Sequence, residues 1–196
     1  MALTNYSELK TAVASFLNRT DLTTSIPDFI SLAHADIRRD VRVQAMESVA
    51  SGSLTGETLA HPDRYIEARR LTVGGYVYTY KLPADYTEAV RQSSTDYIYT
   101  SIGQNLYVLN GASGDSYTLT YSSNFAAMTA DADTNWLLTN APDVYLFGAL
   151  RYGAMFLVDD QAMARHTATY LAAVKRLNGQ EHVTKYSGSP LTIRPG

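Results

Sequence analysis

The order of apolar and polar residues divides the chain into helical periodicity at both ends and alternation in the middle. Leu9, Val13, Phe16 and Leu17 recur at helical spacing, and Asn5 followed three residues later by Glu8 has the form of a capping box. Together they predict a first helix over residues 6–18. A second starts where Ser25 offers an N-cap, Pro27 takes a first-turn position in which its missing N–H is harmless, and Asp28 suits the positive end of the dipole. Phe29, Ile30, Ala33, Ile37 and Val41 then draw one apolar stripe, predicting a helix over 26–45.

The same start signals return at Asn140, Pro142 and Asp143 and predict a helix over 141–158. From Val144 to Val158 it is apolar on almost every face, with Arg151 the only charge. A helix apolar all round is buried all round, which in a small domain puts it at the centre of a bundle or against another subunit. Gly148 and Gly153 would each cost about 1 kcal/mol against alanine, so they are expected where a neighbouring backbone comes close. Asp159 and Asp160 end the run. Met163, His166, Thr167, Tyr170, Leu171, Val174 and Leu177 predict a fourth helix over 160–178, antiparallel to the third and stopped by Gly179.

Between Ser48 and Ala130 the helical period gives way to alternation. Ile66 to Val73, Tyr76 to Tyr80, Tyr97 to Tyr99, Leu106 to Leu109 and Tyr117 to Tyr121 are β-prone runs, separated by Gly- and Asn-containing turns. Leu82-Pro83-Ala84-Asp85 opens one short helix that reaches Arg91. The expected fold is therefore α+β: a mainly antiparallel four-helix bundle (1–47 plus 131–178), an inserted small antiparallel β-lobe (48–130) and an extended C-terminal arm (179–196).

Composition narrows the function. Of 196 residues, 45% are apolar and 18% charged, with a net charge of −3, which excludes a disordered tail and a basic nucleic-acid binder. Without cysteine there is no disulfide framework and no thiolate metal site. The opening Met1-Ala2-Leu3-Thr4-Asn5 lacks a secretory pattern, and the longest apolar run falls short of the roughly 20 residues of a membrane span. A soluble protein made in the cytosol, without contact to membrane, is expected.

Candidate chemistry is sparse. His34, His61, His166 and His182 follow no ligand spacing, and neither a nucleophile elbow nor a phosphate loop occurs, so no catalytic residue, metal or cofactor is expected. Glu67 and Glu88 are the only carboxylates worth weighing as acids for cell-wall cleavage, and an exposed or ion-paired role is the simpler reading. The fifteen tyrosines read first as a half-buried sheet face or subunit interface, and second as a glycan platform using Tyr78 or Tyr99. The cluster Asp36, Arg38, Arg39, Asp40 and Arg42 reads first as a solvated face. The sharper reading gives Arg151 one of these carboxylates as its partner.

Several of these segments form a recurring order. Tyr6-Ser7-Glu8-Leu9-Lys10 leads to Phe16-Leu17-Asn18-Arg19, then Ile26-Pro27-Asp28-Phe29-Ile30 with Ile37-Arg38-Arg39-Asp40. Thr134-Asn135-Trp136-Leu137-Leu138 precedes Ala141-Pro142-Asp143-Val144-Tyr145-Leu146 and Gly148-Ala149-Leu150, and Leu82-Pro83-Ala84-Asp85-Tyr86 and Tyr117 to Tyr121 join more loosely. In order and spacing the chain closely resembles the head-to-tail adaptor proteins of tailed bacteriophages, particularly short-tailed ones. The resemblance implies a virion protein made in the host cytoplasm that forms a ring, dodecameric in this family, beneath the portal protein. DNA would pass through its lumen during packaging and ejection without sequence-specific binding, and tail or nozzle proteins would attach below. On this reading Asp36, Arg39, Asp40, Gly148, Arg151 and Tyr152 are expected at the subunit interface. Tyr186, Pro190, Leu191, Ile193 and Arg194 are expected in an arm that climbs onto the portal.

Overall fold

The computed structural model describes residues 3–186. Among them are six α-helices: α1 (Tyr6–Leu17), α2 (Ile26–Asp40), α3 (Pro83–Arg91), α4 (Trp136–Asn140), α5 (Pro142–Phe156) and α6 (Asp160–Tyr186). Seven strands accompany them: β1 (Glu47–Ser53), β2 (Thr58–Ala60), β3 (Tyr65–Val73), β4 (Tyr76–Tyr80), β5 (Ile98–Ile102), β6 (Asn105–Val108) and β7 (Ser116–Ser123). Met46–Asn124 forms one compact unit, and the flanking segments form the other.

In the helical unit the local signals act largely as read, with three displacements. Asn5 caps α1 by accepting the Glu8 N–H (2.9 Å), but the Glu8 carboxylate returns to the Thr4 N–H and hydroxyl rather than to Asn5 as a capping box would have it. α2 ends at Asp40 instead of continuing to 45, because α6 caps it from outside: the Asn178 amide donates to the Asp40 carbonyl (2.9 Å) and accepts from the Arg42 N–H (3.0 Å). Asn140 does not start α5. It closes the short α4, whose N-cap is Asn135, and the break falls at Ala141, which leaves the helical region (φ −143°, ψ 63°) before Pro142.

α5 is the centre of this unit. Val144, Tyr145, Ala149 and Leu150 are fully buried. A β-carbon on Gly148 would lie 3.1 Å from the Ala33 methyl on α2 and 3.5 Å from the Tyr170 ring on α6, so the missing side chain is what lets three helices meet. At Gly153 the Leu17 side chain of α1 fills the same role. The helix is thus shielded mainly by its own polypeptide, and only its final turn leaves Met155 and Phe156 exposed.

The expected bundle does not hold as drawn. α6 runs antiparallel to α5, with Arg176 bonded to Asp143 (2.5 Å). α1, however, runs in the same sense as α5: Tyr6 and Tyr145 line one cavity near their starts, and Leu17 meets Gly153 near their ends. α6 also passes through Gly179 and continues to Tyr186, so the expected extended arm begins as helix. One interior glycine costs only about 1 kcal/mol and does not stop a helix that is packed elsewhere. Pro190, Leu191, Ile193 and Arg194 lie outside the described residues.

The β-unit is larger than the small antiparallel lobe expected. Its strands form one sheet in the order β1-β7-β3-β4-β5-β6-β2, coiled into a nearly closed barrel around Leu71, Val73, Tyr78, Leu106, Val108 and Leu119. β4 and β5 pair in parallel, which a hairpin cannot do, and α3 supplies the crossover. The sequence reading contains neither β1 nor β2. In β1 the one large apolar residue, Val49, is exposed, and the strand is defined by seven paired positions along β7. Main-chain pairing of this kind leaves no hydrophobic pattern to read.

The crossing at Gly148 yields a test. Gly148→Leu has no room beside Ala33 and Tyr170 and should destabilise the protein by about 1–3 kcal/mol or more, measured by urea denaturation.

Candidate functional site

The close approach at Gly148 fixes what lies one turn further on. Asp36 on α2 and Arg151 on α5 face each other, and Arg151 Nη2 pairs with Asp36 Oδ2. The Tyr152 hydroxyl donates to the same oxygen (2.5 Å), and Arg39 takes the other carboxylate oxygen (2.8 Å). Only 16% of the Asp36 side chain and 15% of Arg151 are exposed, so neither charge could be held there without the other. The Arg151 guanidinium lies 4.1 Å from the centre of the Tyr170 ring, and the Tyr170 hydroxyl donates to Asp40 (2.9 Å). Burial, and then the Asp40 carboxylate, drives the Tyr170 pKa upward; burial and Asp36 do the same, in that order, for Tyr152.

The structure therefore brings together all six residues expected at a subunit interface, Asp36, Arg39, Asp40, Gly148, Arg151 and Tyr152, within one chain. Arg151 has the α2 carboxylate that the sharper reading gave it. Sequence reasoning missed Tyr170 and Asn178, whose polar ends sit on a helix read only for its apolar stripe. Arg42 also donates to the Arg38 carbonyl in the last turn of α2 (3.0 Å) and to the Val41 carbonyl just past it (2.7 Å), so it serves the negative end of that helix, while Arg39 donates to the Ala35 carbonyl one turn earlier (3.2 Å).

A second feature is a cavity of about 340 Å³ lined by Tyr6, Pro27, Ile30, His34, Met128 and Tyr145, among others. Its polar floor can be derived bond by bond. The Leu138 N–H donates to Asn135 Oδ1 (3.0 Å), which orients the amide so that Nδ2 donates to the Tyr145 oxygen (2.9 Å). The Tyr145 proton is then free for His34 Nδ1, 2.9 Å away, which must be unprotonated to accept it. Burial raises the Tyr145 pKa to about 12, while burial and the nearby Arg38 lower that of His34.

In the β-unit a groove of about 870 Å³ gathers His61, Tyr65, Glu67, Arg69, Tyr80 and Ser101. Glu67 is paired with Arg69 (3.0 Å), and Glu88 on α3 with Arg91 (2.9 Å) and Gln92 (2.8 Å). Neither is the desolvated acid that glycoside cleavage needs. Tyr78 and Tyr99 are only 4% and 5% exposed and belong to the barrel core rather than to an open platform. Among the described residues no group of three His, Asp or Glu side chains is placed to hold a metal ion, and no helix is long and apolar enough to cross a membrane.

The chain belongs to the SU10 adaptor protein family, whose model matches residues 4–194. This agrees with the resemblance to phage head-to-tail adaptors. Among curated proteins no match is found.

Two outcomes test this geometry. Asp36→Ala should cost about 3 kcal/mol by stranding Arg151, and Arg151→Met a similar amount. In urea denaturation the double variant should lose at least about 1 kcal/mol less than the sum. The depressed pKa of His34 means that the unfolded chain binds its proton first. Stability should therefore be complete above the unfolded value of about 6.5 and fall as pH drops below it. His34→Gln should flatten that slope in urea melts compared at pH 7.5 and 5.5.

Proposed function

We propose that this chain is the head-to-tail adaptor of a phage neck. Copies form a ring, a dodecamer, beneath the portal protein; the lumen continues the DNA channel for packaging and ejection, and tail or nozzle proteins bind on the far side. The observation that carries this reading is the family match over residues 4–194, nearly the whole chain. The net charge of −3 supports it, because DNA that must slide through a conduit should not be held by many phosphate contacts.

The physical case for self-assembly differs from the one α5 first implied. Its flanks are covered by α1, α2 and α6, so burial of that helix alone requires no neighbour. Of the expected interface residues, Asp36, Gly148 and Arg151 are engaged inside the protomer, while the Arg39 side chain, 72% exposed, remains able to reach another copy. The portal-binding role stays with the chain end: Tyr186 closes α6, followed by Pro190, Leu191, Ile193 and Arg194.

Deletion of residues 187–196 tests the arm without cutting α6. The shortened chain should keep its thermal stability yet fail to decorate portal rings in negative-stain images, where the full chain binds. Unchanged decoration overturns the arm assignment, and no decoration by the full chain overturns the adaptor reading.

A further inference from the structure

The sheet of the β-unit is split along one seam. β4 pairs with β3 only from Leu71 to Val73, beside the turn that joins them, and β3 continues for six more residues, Tyr65 to Arg70, paired with β7 alone. Across the seam Thr79 and Tyr80 pair only with β5. There the Thr79 and Lys81 N–H groups donate to the Tyr97 and Tyr99 carbonyls (3.0 and 2.9 Å). Main-chain groups alternate sides along a strand, so Tyr80 turns its own N–H and carbonyl away from β5 and toward the seam. The groove of about 870 Å³ lies along it, with Tyr65 to Arg69 and Tyr78 to Tyr80 both in its lining.

Side-chain alternation gives the seam an inner and an outer face. Leu71 and Tyr78 enter the barrel core, so Arg70, one position from the first, and Lys81, three from the second, stand on the outer face, and both are exposed. Tyr80 shares the side of Tyr78, and its ring meets that of Tyr99 edge-on at 5.5 Å. Glu67 is neutralised by Arg69, whereas Arg70 and Lys81 have no acidic partner among the described residues. In a chain of net charge −3, the seam is thus flanked by two unneutralised cations.

We propose that this seam is a site of strand addition, filled by an extended acidic segment of a partner protein lying between β3 and β4. Unpaired main-chain edges select a polypeptide, because peptide N–H and carbonyl groups at strand spacing satisfy them. The cations select its charge. Every second side chain of the added strand stands on the outer face, between Arg70 and Lys81, where Asp or Glu complements them. The alternate side chains lie against Tyr80 and Tyr99, where β-branched or aromatic residues pack. The site needs neither a ring nor a portal, so it stands independently of the adaptor reading.

The test uses the full purified chain and a display library of random ten-residue peptides. Selection should enrich sequences in which acidic residues alternate with β-branched or aromatic ones. A selected peptide carrying fluorescein should bind the Arg70→Glu, Lys81→Glu double variant at least about tenfold more weakly, read by fluorescence anisotropy. Both positions are exposed, and an unchanged melting temperature shows that the variant is folded. Main-chain pairing is read separately: N-methylation of alternate peptide amides should abolish binding, and the peptide should slow hydrogen exchange at the Tyr80 amide. No enrichment, enrichment of basic or helix-patterned peptides, or binding that survives N-methylation overturns the proposal. Portal decoration decides the adaptor reading by itself in either event.

Discussion

The helical unit depends on one absent side chain. At Gly148 the backbone of α5 comes close enough to Ala33 and Tyr170 that α2 and α6 pack on it together. That approach brings Asp36 within reach of Arg151 and lays the Arg151 guanidinium over the Tyr170 ring, so a partly buried ion pair and a cation–π contact follow from a steric allowance. The order of cause matters. Ion pairs removed from water return little net stability by themselves, and their value here is to fix one crossing among the several that apolar helices would accept.

The β-unit is held by another principle. Its core of Leu71, Val73, Leu106, Val108 and Leu119 is conventional, but β1 is defined by main-chain pairing with a neighbour, and the short β2 adds one core residue, Leu59, to such a pairing. β1 contributes a ladder to β7, and β2 a three-residue ladder to β6. The tyrosines that alternate along β4, β5 and β7 divide accordingly. Tyr78, Tyr99 and Tyr121 enter the barrel, while Tyr76 and Tyr97 stack on each other outside at 4.3 Å.

Many of the charged groups in both units are paired within the chain. Carboxylates that catalysis would need desolvated are neutralised by neighbouring arginines, as Glu67 is by Arg69. Arg151 is held in an internal pair and Arg42 at the end of α2. Uncovered apolar side chains occur in both units, among them Phe16, Phe156 and Val158 in the helical unit and Val49, Tyr76 and Val77 in the β-unit.

From the residues alone one could read the capping of α1 by Asn5, the all-apolar course of α5, the crossover helix opened by Pro83, five of the seven strands and, through the order of short motifs, the adaptor family. These rest on interactions within a few positions along the chain or on side-chain period, which a sequence displays. Tertiary structure alone decided that α2 stops at Asp40, that α6 runs through Gly179, that α1 lies parallel to α5, and that β1 and β2 exist. Each depends on a partner remote in sequence, such as Asn178 capping α2 or β7 pairing with β1. The identity of the carboxylate that meets Arg151 belongs to the same class: Asp36 and Asp40 share one helix face, and only the crossing at Gly148 chooses between them.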